Sequence, residues 1–177
     1  MKIYFVRHGQ TDANAGNIAM GQGLNVPLNE TGLKQAETLA ESLDKDFNKI
    51  YCSPLIRAQQ TCEVISKKLG LPFETRHDLA ERDAGTLSGR SWDEIKKLTG
   101  EGAEVFADEI DTKKFHGESL GNMENRLINF IEEIKSQHTG QKVLAVSHAG
   151  VIREMHSLYR ALNDAPIENA TVHIFEV

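Results

Sequence analysis

The chain has almost no cysteine, few aromatic residues and no run of like charge. Two cysteines, Cys52 and Cys62, stand among 177 residues. Both lie in apolar surroundings without metal-ligand spacing, which argues against a disulfide framework and makes them core residues. No stretch approaches the ~20 apolar residues of a membrane span, and Met1–Val6 is too short for a signal-peptide core. There is no polybasic segment: 20 Lys plus Arg face 26 Asp plus Glu, a net charge of −6. Such a chain is poorly suited to gripping a nucleic-acid backbone. Neither nucleic acid nor a membrane is expected as a partner, and a cytoplasmic location follows. Any anionic ligand must be held by a local group of cations set against the global field.

What is present is an ordinary globular balance, 40 % hydrophobic and 26 % charged, without internal repeat, linker or low-complexity segment. The length suits one domain, able to bury roughly 70 % of its unfolded surface. Ile3–Val6, Lys49–Cys52 and Val143–Val146 read as buried strands, Leu71–Thr75 as a further candidate, and Thr171–Val177 as an alternating terminal strand. Helical spacing links Leu33, Ala36, Leu39, Ala40 and Leu43. It also links Leu55, Ala58, Cys62, Ile65 and Leu69; Leu120, Met123, Leu127, Phe130, Ile131 and Ile134; and Val151, Ile152, Met155, Leu158 and Leu162. Ser53-Pro54 reads as an N-cap with proline at the first helical position, and Ser91-Trp92-Asp93-Glu94 as the capping box of a short helix. The βαβα succession predicts an α/β fold, a three-layer sandwich with a mostly parallel central sheet and helices on both faces. Residues 1–177 are read as a single domain with a cap or insertion at 86–118.

Two strands end alike, in Val6-Arg7-His8-Gly9 and Val146-Ser147-His148-Ala149-Gly150. Each sets a histidine just past the carboxyl end of a buried strand, the edge where open α/β sheets bind ligands. Arg57 falls in the first turn after a third strand and points back to that edge. Two forked guanidiniums, Arg7 and Arg57, suit a phosphoryl group, and a nearby helix N-terminus adds partial positive charge. A neutral imidazole can then attack phosphorus in line. The leaving oxygen needs a proton donor, for which Glu81 in Leu79–Gly85 is the best candidate, with Asp83 and Glu118 as rivals.

With these residues in order, the sequence resembles the histidine phosphatase superfamily, the phosphoglycerate mutase-like group, over nearly its whole length. The resemblance rests on Arg7-His8-Gly9 continuing to Asn14, Pro27-Leu28-Asn29-Glu30-Thr31-Gly32, Ser53 to Thr61, Leu79 to Gly89, Gly117-Glu118-Ser119, Val146 to Gly150 and Asn169-Ala170-Thr171. It implies His8 as the nucleophile that becomes phosphohistidine, with Arg7, Arg57 and His148 holding the phosphoryl oxygens. Glu81 is implied as general acid, then as base on the attacking water. Asn14, Gly21, Arg82 and Ala149 are implied at the substrate, Ala149 through its backbone N–H. No metal and no cofactor are implied, in keeping with the lack of carboxylate clusters at metal-ligand spacing.

The resemblance favours a metal-independent phosphomonoesterase of the small phosphatase branch, acting on a small phosphorylated metabolite. The alternatives are a phosphoglycerate mutase, whose family members carry longer insertions and a closing C-terminal tail, and a non-catalytic phospho-ligand binding module on the same fold. Retention of both His8 and Glu81 disfavours the binding module. Specificity is expected in residues 15–27 and 86–118, which hold Met20, Trp92, Phe106 and Phe115. His116 and the Lys113-Lys114 pair lie within reach of a substrate in this reading, whereas His77, His138, His156 and His173 read as surface or core residues.

Overall fold

The computed structural model describes residues 1–100 and 110–177. Its elements in chain order are β1 (Lys2–Arg7), α1 (Asp12–Ala15), α2 (Glu30–Ser42), β2 (Lys49–Cys52), α3 (Ile56–Leu69), β3 (Phe73–Thr75), α4 (Trp92–Thr99), α5 (Leu120–Gln137), β4 (Val143–Ser147), α6 (Ala149–Leu158), β5 (Arg160–Ala161) and β6 (Val172–Glu176). The strands form one sheet in the order β3-β2-β4-β1-β6-β5. The pairs β3-β2, β2-β4 and β4-β1 are parallel, whereas β1-β6 and β6-β5 are antiparallel. The α/β sandwich with a mostly parallel sheet is therefore the architecture adopted. No helix among the described residues is long and apolar enough to cross a membrane.

Why the central strands are apolar throughout is explained by what covers them. In β4, Val143 and Ala145 face a core built with Met123, Leu127, Phe130 and Ile131 of α5 and Val151 and Ile152 of α6. Leu144 and Val146 face the other side, against Leu39 of α2 and Ala58, Cys62 and Ile65 of α3. Both cysteines are free and belong to this second core. Removing one large side chain from the first core, such as Phe130→Ala, leaves a cavity of a kind that costs ~3–5 kcal/mol. A third, smaller cluster of Ala19, Leu87, Ile95 and Ile110 gathers Ala84, Trp92 and Phe115 around it. Most of its members belong to the segment expected as a cap, and an antiparallel bridge joins Ile18 of the first loop to Ser91.

Several local expectations need correction. Ser53 does not cap α3. The helix starts at Ile56 with Leu55 as an N-cap lacking a side-chain bond, because Ser53 still pairs with the sheet, its N–H donating to Val146 O at 3.0 Å. Leu162 does not extend α6, which ends at Leu158; the chain turns back and Leu162 N donates to Ile174 O at 2.7 Å. Leu71 and Pro72 precede β3, whose ladder begins at Phe73. The one-turn α1 was not expected; Thr11 and Asn14 close it with a reciprocal capping box. The capping box at Ser91 and Glu94 forms as expected and opens α4.

Behind the strand leading to His8 sits a buried imidazole. His173 of β6 pairs with Phe5 of β1. Thr171 Oγ1 gives its proton to Glu168 O at 2.7 Å, so His173 Nε2 donates to Thr171 Oγ1 at 3.0 Å. His173 Nδ1 is then the acceptor for His156 Nε2 at 3.1 Å. Burial first, then His156 and Arg7, push the His173 pKa down to about 4. A base depressed on folding contributes stability that is fully present above its unfolded pKa of ~6.5 and lost as pH falls towards the folded value. At ~1.4 kcal/mol per pH unit, this ring accounts for about 3 kcal/mol of acid destabilisation. Urea unfolding of wild type and His173→Gln from ~pH 7 down to ~pH 4 should show the wild type losing progressively more, approaching that difference only at the acid end; parallel curves would refute the assignment.

Candidate active site

Because β4 lies between β1 and β2, the carboxyl ends of three parallel strands stand side by side. His8 follows β1, Ser53 follows β2 and His148 follows β4. The ladder runs on past the strands: His8 N donates to Ser147 O at 3.0 Å and Ser53 N to Val146 O at 3.0 Å. The His8 carbonyl accepts from Asn169 Nδ2 at 3.0 Å and from Ala170 N at 3.2 Å. The main chain at both histidines is thus fixed by the sheet. Their rings lie 5.1 Å apart between centroids and are tilted by 58°.

The tautomer of His8 follows from its one ring contact. Nδ1 is 2.7 Å from the Gly9 carbonyl oxygen, which can only accept, so Nδ1 carries the proton and Nε2 keeps a lone pair. Burial holds the ring's pKa well below the ordinary 6.5; Arg57 and Arg7 act in the same direction, and the Gly9 contact opposes them. His8 is a neutral imidazole with an unprotonated Nε2.

The cations around it are held in an unusual way. Arg57, on the first turn of α3, has no exposed surface. Its Nη2 donates to Gly21 O at 2.9 Å and its Nη1 to Leu24 O at 3.3 Å. Burial lowers its pKa to about 10, against the supporting field of Glu81. Arg7 Nη1 donates to Ile167 O at 2.8 Å. Neither guanidinium has a carboxylate within ion-pair distance among the described residues. Four buried side-chain polar atoms there lack a partner, namely Arg7 Nε, Arg57 Nε, His148 Nδ1 and Ser88 Oγ. The first three belong to this cluster. Buried polar groups are rarely left unsatisfied, and three such nitrogens beside two cations describe a receptor for an anion.

Glu81 stands at the start of α6. Its Oε2 accepts from Gly150 N at 3.2 Å and its Oε1 from Arg82 N at 2.9 Å, while Gln22 Nε2 donates to its main-chain oxygen at 2.8 Å. Its field acts on both Arg7 and Arg57. Glycine is needed at 150 for this placement: a Cβ there would lie 2.4 Å from Glu81 Oε1. The carboxylate occupies the space that any other residue would fill.

The remaining expected residues divide. Ala149 opens α6, so its N–H has no intrahelical acceptor. Asn14 uses its amide oxygen on Thr11 N at 3.0 Å and Asn169 Nδ2 at 3.3 Å, and its amide nitrogen has no partner among the described residues. Gly21 acts on Arg57 through its carbonyl. Arg82 donates to Glu118 O and Ile110 O, both at 3.1 Å, bracing the segment above it. Arg82 and Lys113 line a cleft of about 530 Å3 together with Ser119 and Arg153. Glu118 is paired with Arg126 at 2.7 Å, and Asp83 Oδ1 accepts from Gly85 N at 2.9 Å, so both rivals of Glu81 serve local structure. Trp92 and Phe115 pack into the third cluster, and His116 is an exposed C-cap residue. Phe106 lies outside the described residues. Sequence reasoning missed Ser53, Thr61 and Gly150 as parts of the site. Thr61 Oγ1 accepts from Gly9 N at 3.0 Å and donates to Arg57 O at 2.9 Å; its place at the end of the Ser53–Thr61 motif was the available signal.

The model of the histidine phosphatase superfamily, branch 1, matches residues 3–177. The chain belongs to that superfamily. Over 179 residues this histidine phosphatase is 34 % identical to a metal-independent phosphoserine phosphatase of Arabidopsis thaliana, covering 98 % of this chain and 75 % of that one. It is 31 % identical over 180 residues to the 2,3-bisphosphoglycerate-dependent phosphoglycerate mutase of Methylobacterium radiotolerans, covering 96 % and 84 % respectively. Among solved structures, a mycobacterial glucosyl-3-phosphoglycerate phosphatase complexed with VO3 matches with a TM-score of 0.85 at 27 % identity, over 98 % of this chain and 90 % of that one.

The electrostatics give a direct test. Since burial and Arg57 are the two largest causes of the lowered His8 pKa, removing the charge should raise it only part of the way. Histidine-labelled NMR titration should find His8 neutral well below pH 6.5 in the wild type. In Arg57→Gln its midpoint should move up without reaching the free value. A wild-type midpoint at or above the ordinary histidine value would contradict the geometry.

Proposed function

We propose that this chain is a phosphomonoesterase that hydrolyses a small phosphorylated metabolite in the cytoplasm, without a metal ion, through a phosphohistidine at His8. The observation that carries it is the pairing of a neutral, tautomer-fixed His8 Nε2 with the buried guanidinium of Arg57 and the partly buried one of Arg7, neither of which has a carboxylate partner among the described residues. Relatives named as phosphatases support the reaction class, and one of those names supports metal independence.

In this reading Arg7, Arg57 and His148 bind the phosphoryl oxygens, whose charge offsets that of the two guanidiniums. His8 Nε2 attacks phosphorus in line, forming the N–P bond as the bond to the leaving oxygen breaks. Charge develops on the imidazole ring, and the Nδ1–H bond to Gly9 O strengthens with it. Protonated Glu81 gives its proton to the leaving oxygen, releasing the alcohol. Water then attacks the phosphohistidine and passes a proton to Glu81, and breaking the N–P bond returns neutral His8 and inorganic phosphate. Asn14, Gly21, Arg82 and Ala149 are assigned to the substrate side, with Gly21 acting through Arg57. The domain is read as single over residues 1–177, with 86–118 as its cap. A mutase would share the first half-reaction and return the phosphoryl group to an organic hydroxyl.

Rapid quench with labelled p-nitrophenyl phosphate, in the presence of EDTA, should give acid-labile, base-stable protein phosphate that is absent in His8→Ala. Acid-stable label on serine or threonine, or activity abolished by EDTA and restored by a divalent cation, would refute the proposal. Release of inorganic phosphate against formation of an isomeric phosphate ester separates hydrolase from mutase.

Glu81 is tested through the leaving group. General acid help is worth ~10²–10⁴-fold, so Glu81→Gln should slow single-turnover phosphorylation by roughly that factor with an alkyl phosphate and by much less with p-nitrophenyl phosphate. Equal losses on both substrates would mean that Glu81 orients the pocket without donating a proton.

A further inference from the structure

The second histidine makes one ring hydrogen bond, between His148 Nε2 and Ser53 Oγ at 2.7 Å. Both residues are without exposed surface, so the question of which atom donates has a definite answer. A hydroxyl offers one proton and accepts through its lone pairs. Ser53 Oγ already accepts from Leu55 N at 3.3 Å, and the only acceptor bonded to it among the described residues is His148 Nε2. If the imidazole donated instead, the serine proton would be stranded in a buried site. The remaining ring nitrogen, Nδ1, is buried and unpartnered beside Arg7 and Arg57. As a bare lone pair it would repel a phosphoryl oxygen; as an N–H it would bind one.

We propose that Ser53 is a positioning residue: its hydroxyl donates to His148 Nε2, fixes the neutral Nδ1–H tautomer, and so turns the buried Nδ1 into a donor for a phosphoryl oxygen. The proposal rests on the phosphate-pocket reading above. The fold sets the spacing that it needs, because Ser53 N bonds Val146 O on β4, two residues before His148. Burial and the field of Arg57 disfavour a second proton on the ring, so the serine selects between two neutral forms. It also accounts for the serine at position 53, which does not cap the following helix.

The test is nitrogen-15 NMR of histidine-labelled enzyme, with inorganic phosphate as the probe, on wild type, Ser53→Ala and Ser53→Thr. Wild type and Ser53→Thr should carry the His148 proton on Nδ1, and that N–H should respond to phosphate. Ser53→Ala should lose the tautomer preference. It should raise KM and weaken phosphate inhibition about 10–100-fold, as expected for one hydrogen bond to a charged group, with Ser53→Thr restoring both. A wild-type proton on Nε2, or an unchanged tautomer and KM in Ser53→Ala, would overturn the proposal. If Ser53→Ala does not fold, the wild-type tautomer decides alone. Phosphate that moves neither His8 nor His148 resonances overturns the pocket reading and this inference with it, whereas a response at His8 alone overturns only the inference.

Discussion

A guanidinium sealed inside the protein, with no carboxylate in ion-pair reach among the described residues, is the constraint on which the rest of the site depends. Removing a cation from water costs several kcal/mol even after the surroundings relax. Arg57 recovers part of that from the Gly21 and Leu24 carbonyls, and the nearest opposing field comes from Glu81, which does not pair with it. Burial of the ring, with the uncompensated Arg57 charge acting in the same direction, keeps His8 from accepting a proton, and a neutral imidazole is the form able to attack phosphorus. The buried charge thereby forms the receptor and reinforces what burial does to the nucleophile. A bond relay holds it in place: Gly9 N to Thr61 Oγ1, and Thr61 Oγ1 to Arg57 O. The loop carrying His8 and the helix carrying Arg57 cannot shift independently.

The glycines of the motifs have steric work to do. Gly32, in the Pro27–Gly32 segment, sits where a Cβ would lie 2.0 Å from Gln10 O. That segment touches the main chain behind His8 and has no need to touch phosphate. Gly150 leaves room for the Glu81 carboxylate, so the strand-end motif that supplies His148 also sets the position of the acid. Two functions that look separate along the chain are joined at one missing methyl group.

Much of this was legible in the sequence, for reasons that can be named. Strands covered on both faces read as unbroken apolar runs, so β1, β2 and β4 were visible, and their carboxyl ends fixed where His8 and His148 would meet. Arg57 was visible because a first-turn residue after a strand points back to the same edge. The failures have one origin. Ser53 beside proline carries the local signature of a cap, yet sheet pairing to Val146 and the contact with His148 override it. Leu162 keeps the helical period by chance, while the pairing of β5 with β6 takes that stretch of chain. Long-range hydrogen bonds leave no local pattern, which also hid Thr61 and Gly150.

Leu87, Trp92, Ile95, Ile110 and Phe115, all in the segment expected as a cap, pack a core of their own. Trp92 and Phe115, expected at the substrate, are drawn into a small core with Leu87, Ile95 and Ile110. A segment outside the main sandwich must bury its own apolar surface to stay folded, and its aromatic residues are the largest contributors available. The neighbouring cleft is lined by charges of both signs, Arg82, Lys113, Arg153, Asp111 and Glu154, together with Ile110 and Leu120. Arg82 links the two parts, since its main-chain N–H holds Glu81 and its guanidinium holds the 110 and 118 carbonyls. The strand ends are held separately from this small core: the His8 N–H is bonded to Ser147 O, and the His8 carbonyl to Asn169 Nδ2 and Ala170 N.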